Sequence, residues 1–162
     1  MKTRRRVLAF TGIRSDYDLL SELYKKLHRS RDFHFGLVVS GAHLSSKYGH
    51  SIDQIRNDRL PIIARLRTLP TTDIPGARLE AGARLILGAL PAIRKFKPDL
   101  LLFAGDREDA VVASLLGTYL GIPMAHFFGG DQADDGHIDN PVRHATSKLA
   151  SIHFVAHQEH AK

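Results

Sequence analysis

The sequence predicts an α/β domain with a Rossmann-like, doubly wound, mostly parallel sheet. Three observations predict it. Short apolar runs alternate with longer amphipathic ones along the chain, the pattern of repeated βαβ units. Four of the apolar runs end in glycine and polar residues, "TGIRSD", "SGAHLSS", "AGDRED" and "GGDQADD", as expected of strands that deliver a site at their carboxyl ends. A length of 162 residues suffices for one core and is short for two domains of ordinary size. The expectation is one domain over residues 1–162.

Each element follows from its local pattern. "VLAFTG" (Val7 to Gly12) is a buried-strand run, and Leu19, Leu20, Leu23, Tyr24 and Leu27 after it have helical spacing. "FHFGLVVSG" (Phe33 to Gly41) is a second strand, followed by a loop with a short helix from Ser51 to Asn57. Leu60 to Leu69 is a weaker third strand. Helical periodicity then runs from Asp73 to Phe96, with a loop before Arg78 and a kink or restart at Pro91, which has no N–H to donate. "PDLLLFAGD" (Pro98 to Asp106) is the clearest buried strand. The helix after it closes on Gly121, with Pro123 beyond. "PMAHFFGG" is strand five. Pro141 to Leu149 is a helix, with Asn140 as its N-cap because the residue before proline favours extended backbone. Ile152 to Ala156 is a sixth strand.

Composition narrows the function classes. With 43% hydrophobic and 25% charged residues the chain has globular proportions. No run approaches the roughly 20 apolar residues of a membrane span, and the N-terminal apolar stretch is short for a signal peptide, so a cytoplasmic protein is expected. There is no cysteine, hence neither a disulfide framework nor a thiolate metal site. The net charge of +6 is spread over several amphipathic stretches without interleaved aromatics. That pattern fits a solvated surface or attraction of anionic substrates better than nucleic-acid binding.

The chemistry should lie where the strand ends converge. Arg14, near a helix N-terminus, suits a phosphate or pairs with Asp16 or Asp18. "TGIRSD" is neither a dinucleotide fingerprint nor a nucleotide-triphosphate loop. Asp106 is either an acid, base or orienting group, or the N-cap of the following helix. Gly129 and Gly130 allow a tight turn or close approach to a ligand before Asp131. Asp139 has no capping duty if Asn140 caps, whereas Asp134, Asp135 and His137 read as solvated loop. Arg143 and His144 face either the cleft or solvent. No histidine spacing closes a metal-ligand set, and no metal or other cofactor is expected.

Taken together, "TGIRSDYDLL", "SGAHLSSKYG", "KPDLLLFAGDRED" and "HFFGGDQADDGHIDNPVRHATSKLASIHFV" resemble the UDP-N-acetylglucosamine 2-epimerase family, in particular its hydrolysing, sialic-acid-pathway branch. The resemblance covers nearly the whole chain. It implies the N-terminal half of a glycosyltransferase-B-type fold, a UDP-sugar substrate, and a second Rossmann-like domain that this chain lacks. It further implies a possible homo-oligomer and an isolated chain with little or no activity. The implied chemistry is elimination of UDP through a 2-acetamidoglucal, then hydration to N-acetylmannosamine. Asp106, Asp131 and Asp139 would be its carboxylates; Arg14, His43, Arg107, Gly129, Gly130, Arg143 and His144 would contact substrate. Asp131 stands where many members carry Glu, and Asn140 and Pro141 where an acid and a serine are frequent, which leaves room for a UDP-diacetamido sugar. A non-catalytic nucleotide-sugar-binding or interaction module is the alternative.

Overall fold

The structure, a computed structural model, describes residues 3–130 and 138–161. Among them, strands β1 (Arg5–Thr11), β2 (Phe33–Ser40), β3 (Ile62–Leu66), β4 (Leu100–Ala104), β5 (Met124–Phe127) and β6 (Ile152–Phe154) form one parallel sheet in the order β3-β2-β1-β4-β5-β6. The winding reverses between β1 and β4, which pair through Val7–Ala9 and Leu100–Leu102. A crevice at the carboxyl ends of those two strands is the usual binding place in such a sheet.

Helices cover both faces because the central strands are apolar on both. On one side Tyr17, Leu20 and Tyr24 of α1 (Arg14–Arg29) and Ile52 and Ile55 of α2 (Ile52–Asn57) pack on Val7, Ala9, Leu37 and Val39. On the other, Leu85, Ala89 and Ile93 of α3 (Ala77–Phe96) and Val112, Ala113 and Leu116 of α4 (Glu108–Leu120) pack on Leu8, Phe10, Val38 and Leu101. Alternate residues of β1 and β2 thus serve opposite cores. α4 ends as expected, with Gly121 in the left-handed region at φ 65°.

Three local expectations are corrected. The helix containing Pro91 runs unbroken from Ala77 to Phe96. The bond that proline forfeits is the one to the Leu87 carbonyl, on an exposed face where water can donate to that oxygen instead. Asn140 is not a cap: α5 (Asp139–Leu149) starts earlier, with Ile138 in the cap position and no side-chain cap bond. Pro141 fits inside the first turn because the N–H it lacks would have no intrahelical acceptor there. The edge strands β3 and β6 are shorter than their apolar runs, and every residue of β6 is exposed. Among the described residues no helix is long and apolar enough to cross a membrane.

Candidate functional site

At the end of β1 the chain turns through Gly12 and the extended Ile13 into α1, whose first residue is Arg14. The Arg14 side chain is 69% exposed and its Nε lies 3.2 Å from Asp18 Oδ2, so Asp18 is the partner it takes here. At the end of β2, Gly41 adopts φ 55° and donates its N–H to Thr68 Oγ1 at 3.1 Å, while Ala42 donates to the Gly12 carbonyl at 2.8 Å. The first two strand ends are therefore tied by main-chain bonds.

His43 is 0% exposed. Its Nε2 is 2.9 Å from Thr11 Oγ1 and its Nδ1 is 2.8 Å from Ser51 Oγ. Burial pushes its pKa down to about 4, so the ring is neutral at physiological pH. In this arrangement His43 braces the ends of β1 and α2 and presents no surface to a ligand.

The end of β4 carries the densest charge. Gly105 turns the chain at φ 70°. Asp106 pairs with Arg143 Nη2 of α5, and the two side chains keep only 14% and 16% of their surface. The cap position of α4 belongs to Arg107, without a side-chain cap bond, so Asp106 is an ion-pair partner and not a cap. Glu108 pairs with Arg78 at the start of α3. Arg78 lies within electrostatic reach of both Asp139 and Asp106.

In the first turn of α4, Asp109 accepts a hydrogen bond from Ser40 Oγ, and its carboxyl lies against the face of Gly12, where a Cβ would fall 1.9 Å from Oδ2. Burial pushes its pKa up. Asp16 is raised to about 6, chiefly by burial and then by the Asp109 charge. Asp16 entered the sequence reading only as a partner for Arg14, and Asp109, Ser40 and Arg78 were not among the expected site residues. A signal for Asp109 exists in the run "GDRED": the residue three after Asp106 falls on the inner face of a helix that starts at Glu108.

Strand β5 contributes a buried histidine. His126 Nε2 is 2.7 Å from the Gly105 carbonyl, which can only accept, so that nitrogen carries the proton; Nδ1 then accepts from Ser147 Oγ at 2.9 Å. Burial holds its pKa below the usual range, consistent with the neutral ring. The imidazole thus joins the end of β4 to α5. Both following glycines are required by crowding. A Cβ on Gly129 would meet Ser147 Oγ at 2.8 Å, and one on Gly130, at φ 81°, would meet the His160 carbonyl at 2.8 Å. Asp131, Asp134, Asp135 and His137 lie outside the described residues.

On α5, Asp139 is the first helical residue and Arg143 follows four positions later, one turn along the same face; His144 is exposed. Asp106 and Arg143 thus meet between β4 and α5, with Asp139 one turn before Arg143, while Arg107 lies on the cleft beside Asp109 and Arg14 stands out on the α1 side. Among the described residues no three potential ligands cluster as a metal site. Between the ends of β1, β2 and β3 and the first turns of α3 and α4 lies a cleft of about 60 Å³. A complete small-molecule site encloses several times more, roughly 300–1,000 Å³.

The fold is the Rossmann-like α/β class seen in the N-terminal half of glycosyltransferase-B-type proteins, with charged groups at the switch point of the sheet. A family profile described as UDP-N-acetylglucosamine 2-epimerase matches residues 25–162, and the chain belongs to that family. Its similarity to the hydrolyzing UDP-N,N'-diacetylbacillosamine 2-epimerase of Legionella pneumophila is 35% identity over 156 residues, 94% of this chain and 40% of the relative. Similarity to the hydrolyzing GDP/UDP-N,N'-diacetylbacillosamine 2-epimerase of Campylobacter jejuni is 25% over 160 residues, 99% of this chain and 41% of the relative. The crystal structure of Methanocaldococcus jannaschii UDP-GlcNAc 2-epimerase in complex with UDP-GlcNAc and UDP shares the fold, with a TM-score of 0.81 at 18% identity over 96% of this chain and 41% of that one. The chain spans about 40% of the length of the relatives it matches, and what it matches is their N-terminal part.

Proposed function

We propose that this chain supplies the N-terminal half of the active site of a hydrolysing UDP-sugar 2-epimerase acting on a 2-acetamido sugar. The observation that carries the proposal is the ion pair between Asp106 and Arg143 at the switch point, with Asp139 one turn before Arg143. A carboxylate held by a guanidinium is fixed in orientation, and a second carboxylate beside it allows proton transfer on two sides of a sugar ring.

In this reaction a carboxylate removes the C2 proton, the bond from C1 to the diphosphate oxygen breaks, and UDP departs with the electron pair. The product is a 2-acetamidoglucal. Water then adds its hydroxyl to C1 and a carboxyl returns a proton to C2 from the opposite face, releasing the free 2-epimer. Asp106, Asp131 and Asp139 are the proposed acid, base and orienting groups. Arg14, Arg107, Arg143 and His144 are proposed to stabilise the departing diphosphate and the sugar, with the Gly129–Gly130 backbone approaching the substrate. His43, enclosed in the fold, acts by holding the end of β1.

UDP-N-acetylglucosamine is one substrate consistent with the family. The 35% identity to an enzyme named for UDP-N,N'-diacetylbacillosamine favours the diacetamido sugar as a second reading. The remaining wall of the site would come from a second Rossmann-like domain. The test is an assay of the full-length polypeptide in D2O with both nucleotide sugars. The expected result is stoichiometric UDP release and one deuterium at C2 of the freed sugar; interconversion of UDP-sugars without UDP release overturns the hydrolysing assignment. The isolated chain is expected to release little or no UDP, and turnover near the ~10 per second enzyme median would reject the requirement for a second half.

A further inference from the structure

The small cleft beside the carboxylates combines apolar walls with a carboxyl. Its walls are apolar: Ile13 from the β1 turn, Ala42 after β2, Leu69 after β3, and Ala81 and Leu85 from the inner face of α3. Asp109 forms its polar floor, fixed by the bond from Ser40 and by its seat against Gly12. Arg107 and Glu108 line the same cleft, and Glu108 holds Arg78, which lies within electrostatic reach of Asp106 and Asp139, so the cleft borders the proposed reaction centre. At about 60 Å³ it has room for a substituent of roughly four non-hydrogen atoms, and not for a sugar ring.

We propose that this cleft is a specificity pocket that takes the 4-acetamido group of a UDP-2,4-diacetamido sugar, its methyl against Ala42, Ala81 and Leu85 and its amide against the Asp109 carboxyl. The inference rests on the functional reading above and names the substrate within it. An acetamido group has the matching chemistry: one methyl for an apolar wall, and one carbonyl acceptor and one N–H donor for a carboxyl that can act as either partner. Asp109 Oδ1 accepts from Ser40, which leaves Oδ2 to accept from the acetamido N–H. A 4-hydroxyl, as in N-acetylglucosamine, leaves the apolar walls unfilled and gains nothing from them. The pocket's rigidity fits a selective role. Gly41, bonded to Thr68, and Ala42, bonded to Gly12, lock its rim to three strand ends.

The experiment measures kcat/KM of the full-length polypeptide for UDP-N,N'-diacetylbacillosamine and UDP-N-acetylglucosamine, before and after filling the pocket with Ala42→Val or, from the half-buried Leu69, Leu69→Phe. The expected result is a fall of roughly tenfold or more in the ratio of the two constants, the scale on which an apolar pocket discriminates one small group. Because both substrates meet the same active molecules, the ratio is insensitive to any fraction of a variant that fails to fold. An unchanged ratio in both variants, with the parent active, overturns the pocket alone. A parent that releases UDP from neither substrate overturns the functional reading and the pocket with it.

Discussion

Arg143 of α5 is salt-bridged to Asp106 at the end of β4, 37 positions away in sequence, with both side chains mostly buried. The pair fastens α5 to the switch point of the sheet. His126 does the same work one residue upstream of Asp106, through Gly105 and Ser147.

Breaking this pair should be costly, because it strands a carboxylate in a poorly hydrated place. Arg143→Ala is expected to lower stability by about 3 kcal/mol, the low end for a buried pair. Adding Asp106→Asn to it should recover part of that loss. Urea denaturation of the two single variants and the double variant checks this; strict additivity would show that the two side chains do not depend on each other.

Asp16 and His43 are expected to give opposing pH dependences. The pKa of Asp16 in the fold is about 6, above its unfolded value near 3.8, so the native state binds more protons between those values and stability falls as pH rises through that window. His43 titrates near 4 in the fold against 6.5 unfolded, so the native state binds fewer protons and stability rises with pH over that window. Asp16→Asn should expose the rising slope and add about 1–3 kcal/mol at pH 7.5. His43→Gln should expose the falling slope. Thermal melts from pH 4 to 7.5 read both, and parallel profiles for the parent and the two variants would contradict the assignment.

Gly12 is required by a neighbour and not by its own backbone angles. A Cβ there would fall 1.9 Å from Asp109 Oδ2 and 2.4 Å from its Cγ. Gly12→Ala is expected to destabilise by about 2 kcal/mol, as overpacking does. In an Asp109→Ala background the same change should cost well under half as much. Equal cost in the two backgrounds would place the clash elsewhere.

Asp139 separates catalytic from structural roles. Asp139→Asn keeps the size of the side chain at the first position of α5 and removes its charge. If Asp139 moves a proton, the same variant of the full-length polypeptide should lose roughly 100-fold or more in kcat. A loss confined to KM would make it a binding group instead.

The sheet, its parallel sense and most helices were legible in the sequence because they depend on local periodicity and on glycines at strand ends. Pro91 and Asn140 were misread for the same reason: local rules describe a helix without its surroundings. Pro91 is accommodated because the carbonyl it leaves unbonded is on an exposed face, and Asn140 enters the helix because its proline follows within the first turn.

The chain by itself determined that four polar strand ends would exist and that Asp106, Asp139, Arg143 and Arg14 would be on or near them. Only the tertiary structure decided which of these meet. The strand order β3-β2-β1-β4-β5-β6 brings α4 and α5 together over β4, so that Arg143 reaches Asp106, while Arg14 turns to Asp18. It also brings the first turn of α4 against β1 and β2, which buries Asp109 between Ser40 and Gly12. Periodicity records which residues share a face; long-range approach across a sheet sets burial and charge pairing, and those decide whether a carboxylate or an imidazole is ionised, neutral or enclosed.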